Sequence, residues 1–279
     1  MKSSQNFSGF ALLGDDRGFT VAELLMAAFI GLIVLGASWG TVAMQGRSAA
    51  YQVGLADAQT AGRGAGALLL SDLRMAGFGM LGVSPDADFP PLEYSEAGGT
   101  TTLVLRGAFT GQRGSLAASA PAGSTSIVYK ALDENPGTML PSFVVGQHLL
   151  LDSGLDSEVK VISSIDLQNS TVYLDSALDH QYPMGPDVTQ IEERTYTWDG
   201  RTLTRSDGVV SGVLADNATS FDLEFVDEAG SVSDSPADDL RSVVVDLVTS
   251  DPAPLPDAPV AESRVSTEVT LRNLMFRFM

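Results

Sequence analysis

The sequence predicts an α+β protein in which one long N-terminal α-helix, membrane-spanning in its first half, packs on an antiparallel β-sheet domain that carries a small β insertion. Three observations predict it. Residues 21–44 form an apolar run whose one ionisable side chain is Glu23, no proline interrupts residues 19–83, and beyond Pro85 short runs of β-branched and aromatic residues alternate with Gly, Asp and Asn. The first two describe a long helix, and the third describes strands joined by turns.

The apolar run exceeds the roughly 20 residues that a helix needs to cross a bilayer's hydrocarbon core. An ordinary secretory signal would show a shorter apolar core followed by small residues at a cleavage site, and nothing of that kind follows Met44. Glu23 is the anomaly. A carboxylate buried near one end of a membrane span costs about 2.5 kcal/mol or more, so it must be neutralised, paired or held at the interface. Its bland reading is an interfacial acid at a helix start, where the helix dipole favours an anion.

The surroundings of Glu23 add a second reading. Gly18-Phe19-Thr20-Val21-Ala22-Glu23-Leu24 joins a small residue, an aromatic and a spaced carboxylate to the apolar run, and it resembles the cleavage and methylation motif of type IV prepilins and type II secretion pseudopilins. The resemblance implies a leader at residues 1–18, cut between Gly18 and Phe19 by a prepilin peptidase, and N-methylation of the new Phe19 amine. It also implies that the Glu23 carboxylate pairs with that amine, in its own or a neighbouring subunit, so that two charges costly in lipid neutralise each other and set the register of assembly. Leaders of this family are usually basic before the cut, whereas here Asp15 and Asp16 precede Arg17. The orientation, with the N-terminus cytoplasmic, therefore rests on the motif more than on flanking charge.

Residues 19–44 are read as the transmembrane half of the helix and residues 45–84 as its exported amphipathic half with a cap. The helix is expected to reach about Met75, roughly 85 Å at 1.5 Å per residue. Ala58, Ala61, Ala65, Leu69, Leu73 and Ala76 follow the three- and four-residue spacing of one buried face. Glycines 31, 36, 40, 46, 54, 62, 64 and 66 each weaken a helix by about 1 kcal/mol relative to Ala. Gly36 and Gly40 form a small-xxx-small pair that lets neighbouring spans approach closely. Gly77-Phe78-Gly79-Met80-Leu81-Gly82 matches a dinucleotide fingerprint, but it follows a helix and no βαβ unit surrounds it. A glycine cap suits it better, and Asp72-Leu73-Arg74-Met75-Ala76-Gly77-Phe78 resembles the end of the long helix in PilW-type minor pilins.

Residues 85–279 are read as a β-rich globular domain. The expected strands are residues 101–106, 126–131, 143–151, 158–164, 170–175, 188–198, 201–205, 219–227, 241–249 and 264–273. Asp199-Gly200 between alternating runs marks the clearest hairpin. Residues 143–182 read as a compact β module, a small barrel or sandwich-like insertion. Residues 251–256, rich in proline, read as an exposed loop.

Composition narrows the function. The formal charge is −19 over 279 residues, and the leader's Lys2 and Arg17 balance its Asp15 and Asp16, so the mature chain keeps all of it. That argues against nucleic-acid binding through a basic patch. With no cysteine, an exported domain must be held by its core alone. His148 and His180 have no zinc-site spacing, no GxSxG motif or phosphate loop occurs, and no cofactor is expected. Asp227, Glu228, Asp234, Asp238 and Asp239 make the best calcium candidate by donor type, without EF-hand spacing, and a solvated acidic loop is the plainer reading. Asn169-Ser170-Thr171 and Asn217-Ala218-Thr219 match glycosylation sequons of low specificity.

The chain thus most resembles a PilW-type minor pilin. The resemblance implies a non-catalytic structural subunit, processed by the prepilin peptidase and N-methyltransferase. It would be held in the inner membrane with an exported C-terminal domain, then joined through the assembly platform to other minor and major pilins, to prime or tip a type IV pilus. A J-type pseudopilin of type II secretion is the near alternative. A membrane-anchored adhesin or ligand-binding protein using residues 143–182 is the alternative of another class, and an anchored hydrolase is a third.

Overall fold

The computed structural model describes residues 20–80, 89–132, 140–237, 239–251 and 260–275, in two compact units, Met1–Ala50 and Tyr51–Met279. Helix α1 (Val21–Met75) is long and apolar enough to cross a membrane, and its most apolar stretch is wholly unburied. In the first unit Leu24, Leu25, Phe29, Ile33 and Leu35 are exposed. Thr41 Oγ1 donates to the Ala37 carbonyl at 3.0 Å, so this hydroxyl is satisfied within the helix.

In the second unit the buried face of α1 comprises Gly54, Ala58, Gly62, Ala65, Gly66, Leu69, Asp72 and Leu73. The expected alanine and leucine face is present, with Ala61 only partly buried, and glycines occupy a share of it that the spacing did not foretell. They are there for proximity. A Cβ on Gly62 would sit 2.8 Å from Thr249 Oγ1, and one on Gly66 would sit 3.2 Å from Val265 Cγ1. Thr249 Oγ1 in turn donates to the Ala58 carbonyl at 2.7 Å. The helix ends at Met75 and the turn after it passes through Gly77, whose φ of 76° suits glycine and whose N–H donates to the Arg106 carbonyl at 2.8 Å.

Two sheets follow. The smaller has the order β12-β11-β13-β14, with β11 (Ala218–Asp227), β12 (Val232–Ser233), β13 (Leu240–Ser250) and β14 (Glu262–Thr270), every pairing antiparallel. The larger contains β1 (Leu92–Ala97), β2 (Thr100–Gly107), β8 (Asp187–Trp198), β9 (Leu203–Ser206) and β10 (Ser211–Ala215). Leu69 and Leu73 of α1, Leu103 of β2, Tyr196 of β8, Phe225 of β11 and Val245 of β13 share one core. The fold is therefore α+β, a long helix packed with antiparallel sheet.

The other strands of the larger sheet are β3 (Arg113–Leu116), β4 (Ser126–Ala131), β5 (His148–Asp152), β6 (Ser157–Asp166) and β7 (Thr171–Leu174). With the first part of β8 they run β8-β3-β4-β7-β6-β5, and β5 pairs back to β8, which closes a six-stranded antiparallel barrel. Closure leaves no free edge. Leu116, Ile127, Leu149, Ile162, Val172 and Val188 fill it, in a core separate from the one around α1. The β module expected at residues 143–182 is thus part of a larger body that begins at β3 and borrows β8.

Several strands differ from expectation: β1, β10 and β12 were not expected, β9 starts only at Leu203, and two other boundaries shift for visible reasons. The run at residues 143–151 becomes strand only at His148, because Gly146 takes a φ of 88° and Gln147 N–H closes a turn onto the Val144 carbonyl at 3.2 Å. The last strand stops at Thr270, and α2 (Arg272–Met275) follows, with Asn273 Nδ2 donating to the Arg74 carbonyl at the end of α1 at 3.0 Å. The Asp199-Gly200 hairpin joins Trp198 to Leu203 through a loop in which Asp199 Oδ1 accepts from the Arg201 and Thr202 amides at 2.9 and 2.6 Å. Residues 252–256 of the proline-rich loop lie outside the described residues.

Candidate processing and assembly site

Gly18 and Phe19 lie outside the described residues, so the site begins at Thr20. Thr20 caps α1. Its Oγ1 accepts from the Glu23 amide at 3.2 Å, while Glu23 Oε2 accepts from the Thr20 amide at 2.9 Å and from its hydroxyl at 3.0 Å. This reciprocal arrangement is a capping box, which satisfies donors that a helix start otherwise leaves without partners. The Thr-x-x-Glu spacing was present in the sequence and would have identified it. Both hydrogen bonds to the carboxylate fall on Oε2, and the side chain stands at the entrance of an exposed apolar helix.

Further along the helix, a Cβ on Gly36 or Gly40 would meet nothing within 4 Å. Their surface is open to a neighbour, in contrast to Gly62 and Gly66, whose surface is already filled by the β domain.

The end of α1 and the strands of the Asp199-Gly200 hairpin meet in space. Asp72 Oδ2 accepts from Tyr196 Oη at 2.7 Å and from Arg205 Nε at 2.8 Å, tying α1 to β8 and β9. Burial foremost, then Asp72, pushes the Tyr196 phenol far above its ordinary range, so it remains a donor at any physiological pH. For Arg205 burial works against the charge, but the bonds to Asp72 and Tyr196 outweigh it and raise the guanidinium further. Nothing in the spacing of these residues pointed to the contact.

Scanned against protein-family models and searched against curated proteins, the chain has no match.

Of the acidic candidates, Asp238 lies outside the described residues. Asp227 Oδ1 accepts from the Ser231 amide at 2.7 Å, and the Glu228 amide donates to the Asp239 carbonyl at 3.1 Å, so these residues shape the turns around β12. Among the described residues no three His, Asp or Glu side chains converge so as to hold a metal ion. His148 starts β5 against Phe89, and His180 lies in the loop before β8, where its amide donates to Glu158.

Proposed function

We propose that the chain is a minor pilin of the PilW type: a structural subunit processed at Gly18-Phe19, anchored by the first half of α1 and assembled with other pilins to prime or tip a type IV pilus. One observation carries the reading. The Gly-Phe-Thr-x-x-Glu motif stands at the start of a helix whose first half is apolar and exposed and whose second half is the core of a β domain. An exposed apolar helix needs lipid or other helices around it. Prepilin peptidase, other minor and major pilins, and the inner-membrane assembly platform are the partners this reading requires.

Mass spectrometry of the protein recovered from peptidase-competent cells tests it. The expected mature N-terminus is N-methylated Phe19, and an intact leader or an unmethylated start at another residue overturns the assignment. A J-type pseudopilin would give the same N-terminus, and neighbouring genes for a secretion system rather than a pilus would distinguish it. The closed barrel favours one second reading, an anchored adhesin or ligand-binding protein, because the barrel has a core of its own apart from the helix-packed one.

A further inference from the structure

His148 and Phe89 meet where the barrel joins the helix-packed sheet. His148 is the first residue of β5, opposite Ile191 of β8 and Val161 of β6. Its ring centroid lies 4.7 Å from that of Phe89, and the same Phe89 ring receives the Arg106 guanidinium at 4.9 Å. Arg106, on β2, is fixed by Glu93 and Glu193 at 3.0 Å each and donates to the Pro90 carbonyl at 2.9 Å. Phe89 also packs on Met80, Ala108, Leu150 and Ile191, a small apolar cluster between the two bodies. Among the described residues His148 Nδ1 is buried there and meets no hydrogen-bond partner.

We propose that His148 is an acid-sensitive latch at this joint: neutral, it holds Phe89 against the barrel, and protonated, it releases Phe89 and the start of β1. An imidazolium carries an N–H on both ring nitrogens, and the Nδ1 proton would point into a site that offers no acceptor among the described residues. The charged groups facing the ring come from three elements. Arg106 of β2 repels a second cation, whereas Glu193 of β8 and Asp175 in the loop after β7 attract it. Glu193 already holds Arg106, so a charged His148 competes for it and loosens the grip on Pro90 and Glu93. Burial is the largest influence on the ring; Glu193 and Asp175 oppose it, Arg106 adds to it, and the outcome lies below the ordinary histidine value. A base held below its ordinary pKa takes up protons more readily once released. The latch is therefore fully closed above the unfolded histidine value of about 6.5 and weakens as pH falls through that value toward the folded one. This inference does not depend on the pilin reading.

Hydrogen exchange on the full chain in detergent tests it. The Arg106 amide, which donates to the Pro91 carbonyl at 2.8 Å, reports release of the segment. After correction for intrinsic rates, opening at this amide should rise between about pH 7.5 and about pH 5.5, by up to about tenfold. His148→Phe and His148→Gln should abolish the rise. Unchanged opening in the natural chain, or an equal rise in either variant, overturns the proposal. If neither variant folds, NMR titration of the two histidines decides, with His180→Asn giving the assignment, and a His148 pKa at or above its ordinary value overturns it.

Discussion

Glu23 has one use in the structure, and the proposed function would give the same side chain a second. The capping box with Thr20 needs an acceptor oxygen, while pairing with a methylated Phe19 amine needs a negative charge. Glu23→Gln keeps the acceptor and removes the charge, and Glu23→Ala removes both. Under the pairing mechanism both variants drop out of sheared filament fractions, as read by immunoblot. If Glu23→Gln enters filaments as the natural chain does, the cap suffices and the charge pairing is wrong. The motif made this residue conspicuous in the sequence. Asp72 was not conspicuous, because a carboxylate on a helix face declares its partners only after Tyr196 and Arg205 arrive from strands more than a hundred positions away.

At the scale of the element, α1 shows how one residue type can have opposite effects along one helix. Gly62 faces Thr249, whose hydroxyl is held by the Ala58 carbonyl, so an added methyl at 2.8 Å cannot be accommodated by rotating that side chain away without breaking its bond. Gly64, two residues on, has nothing within 4 Å of a Cβ position. Gly62→Ala should destabilise the domain by about 1–3 kcal/mol through overpacking, outweighing the helical preference of Ala. Gly64→Ala should stabilise it by up to about 1 kcal/mol through that preference. Thermal unfolding of the full chain in detergent compares them, and the midpoints should move in opposite directions. Apolar periodicity located the buried face, but it is blind to glycines on that face, since a residue without a side chain contributes nothing to the pattern. The same blindness hid β3, whose Arg113-Gly114-Ser115-Leu116 has no strand signature; its place between β4 and β8 makes it a strand, and a Cβ on Gly114 would lie 2.6 Å from the Lys130 carbonyl.

For the whole molecule, the two cores predict two units of cooperative loss. Ile162 is buried in the barrel and shares no core with α1. Ile162→Ala should cost the barrel about 2–5 kcal/mol. Hydrogen exchange should then quicken in β4, β6 and β7 while β11 and β13 keep their protection; uniform quickening across both sets would mean a single cooperative body. The long helix and the antiparallel character of the domain were readable because each rests on a local pattern, an unbroken apolar run in one case and short alternating runs with brief turns in the other. Barrel closure rests on β5 returning to β8, a pairing between segments whose local sequences say nothing of each other. The strand common to both bodies has a mechanical meaning. β8 pairs with β5 over residues 187–191 and with β3 over 187–189, then with β2 over 192–198 and with β9 over 195–198, so a pull on the far end of the barrel along this strand passes through one unbroken peptide backbone into the helix-packed sheet. Its ladders would be loaded in shear, many hydrogen bonds at once, instead of being unzipped one by one.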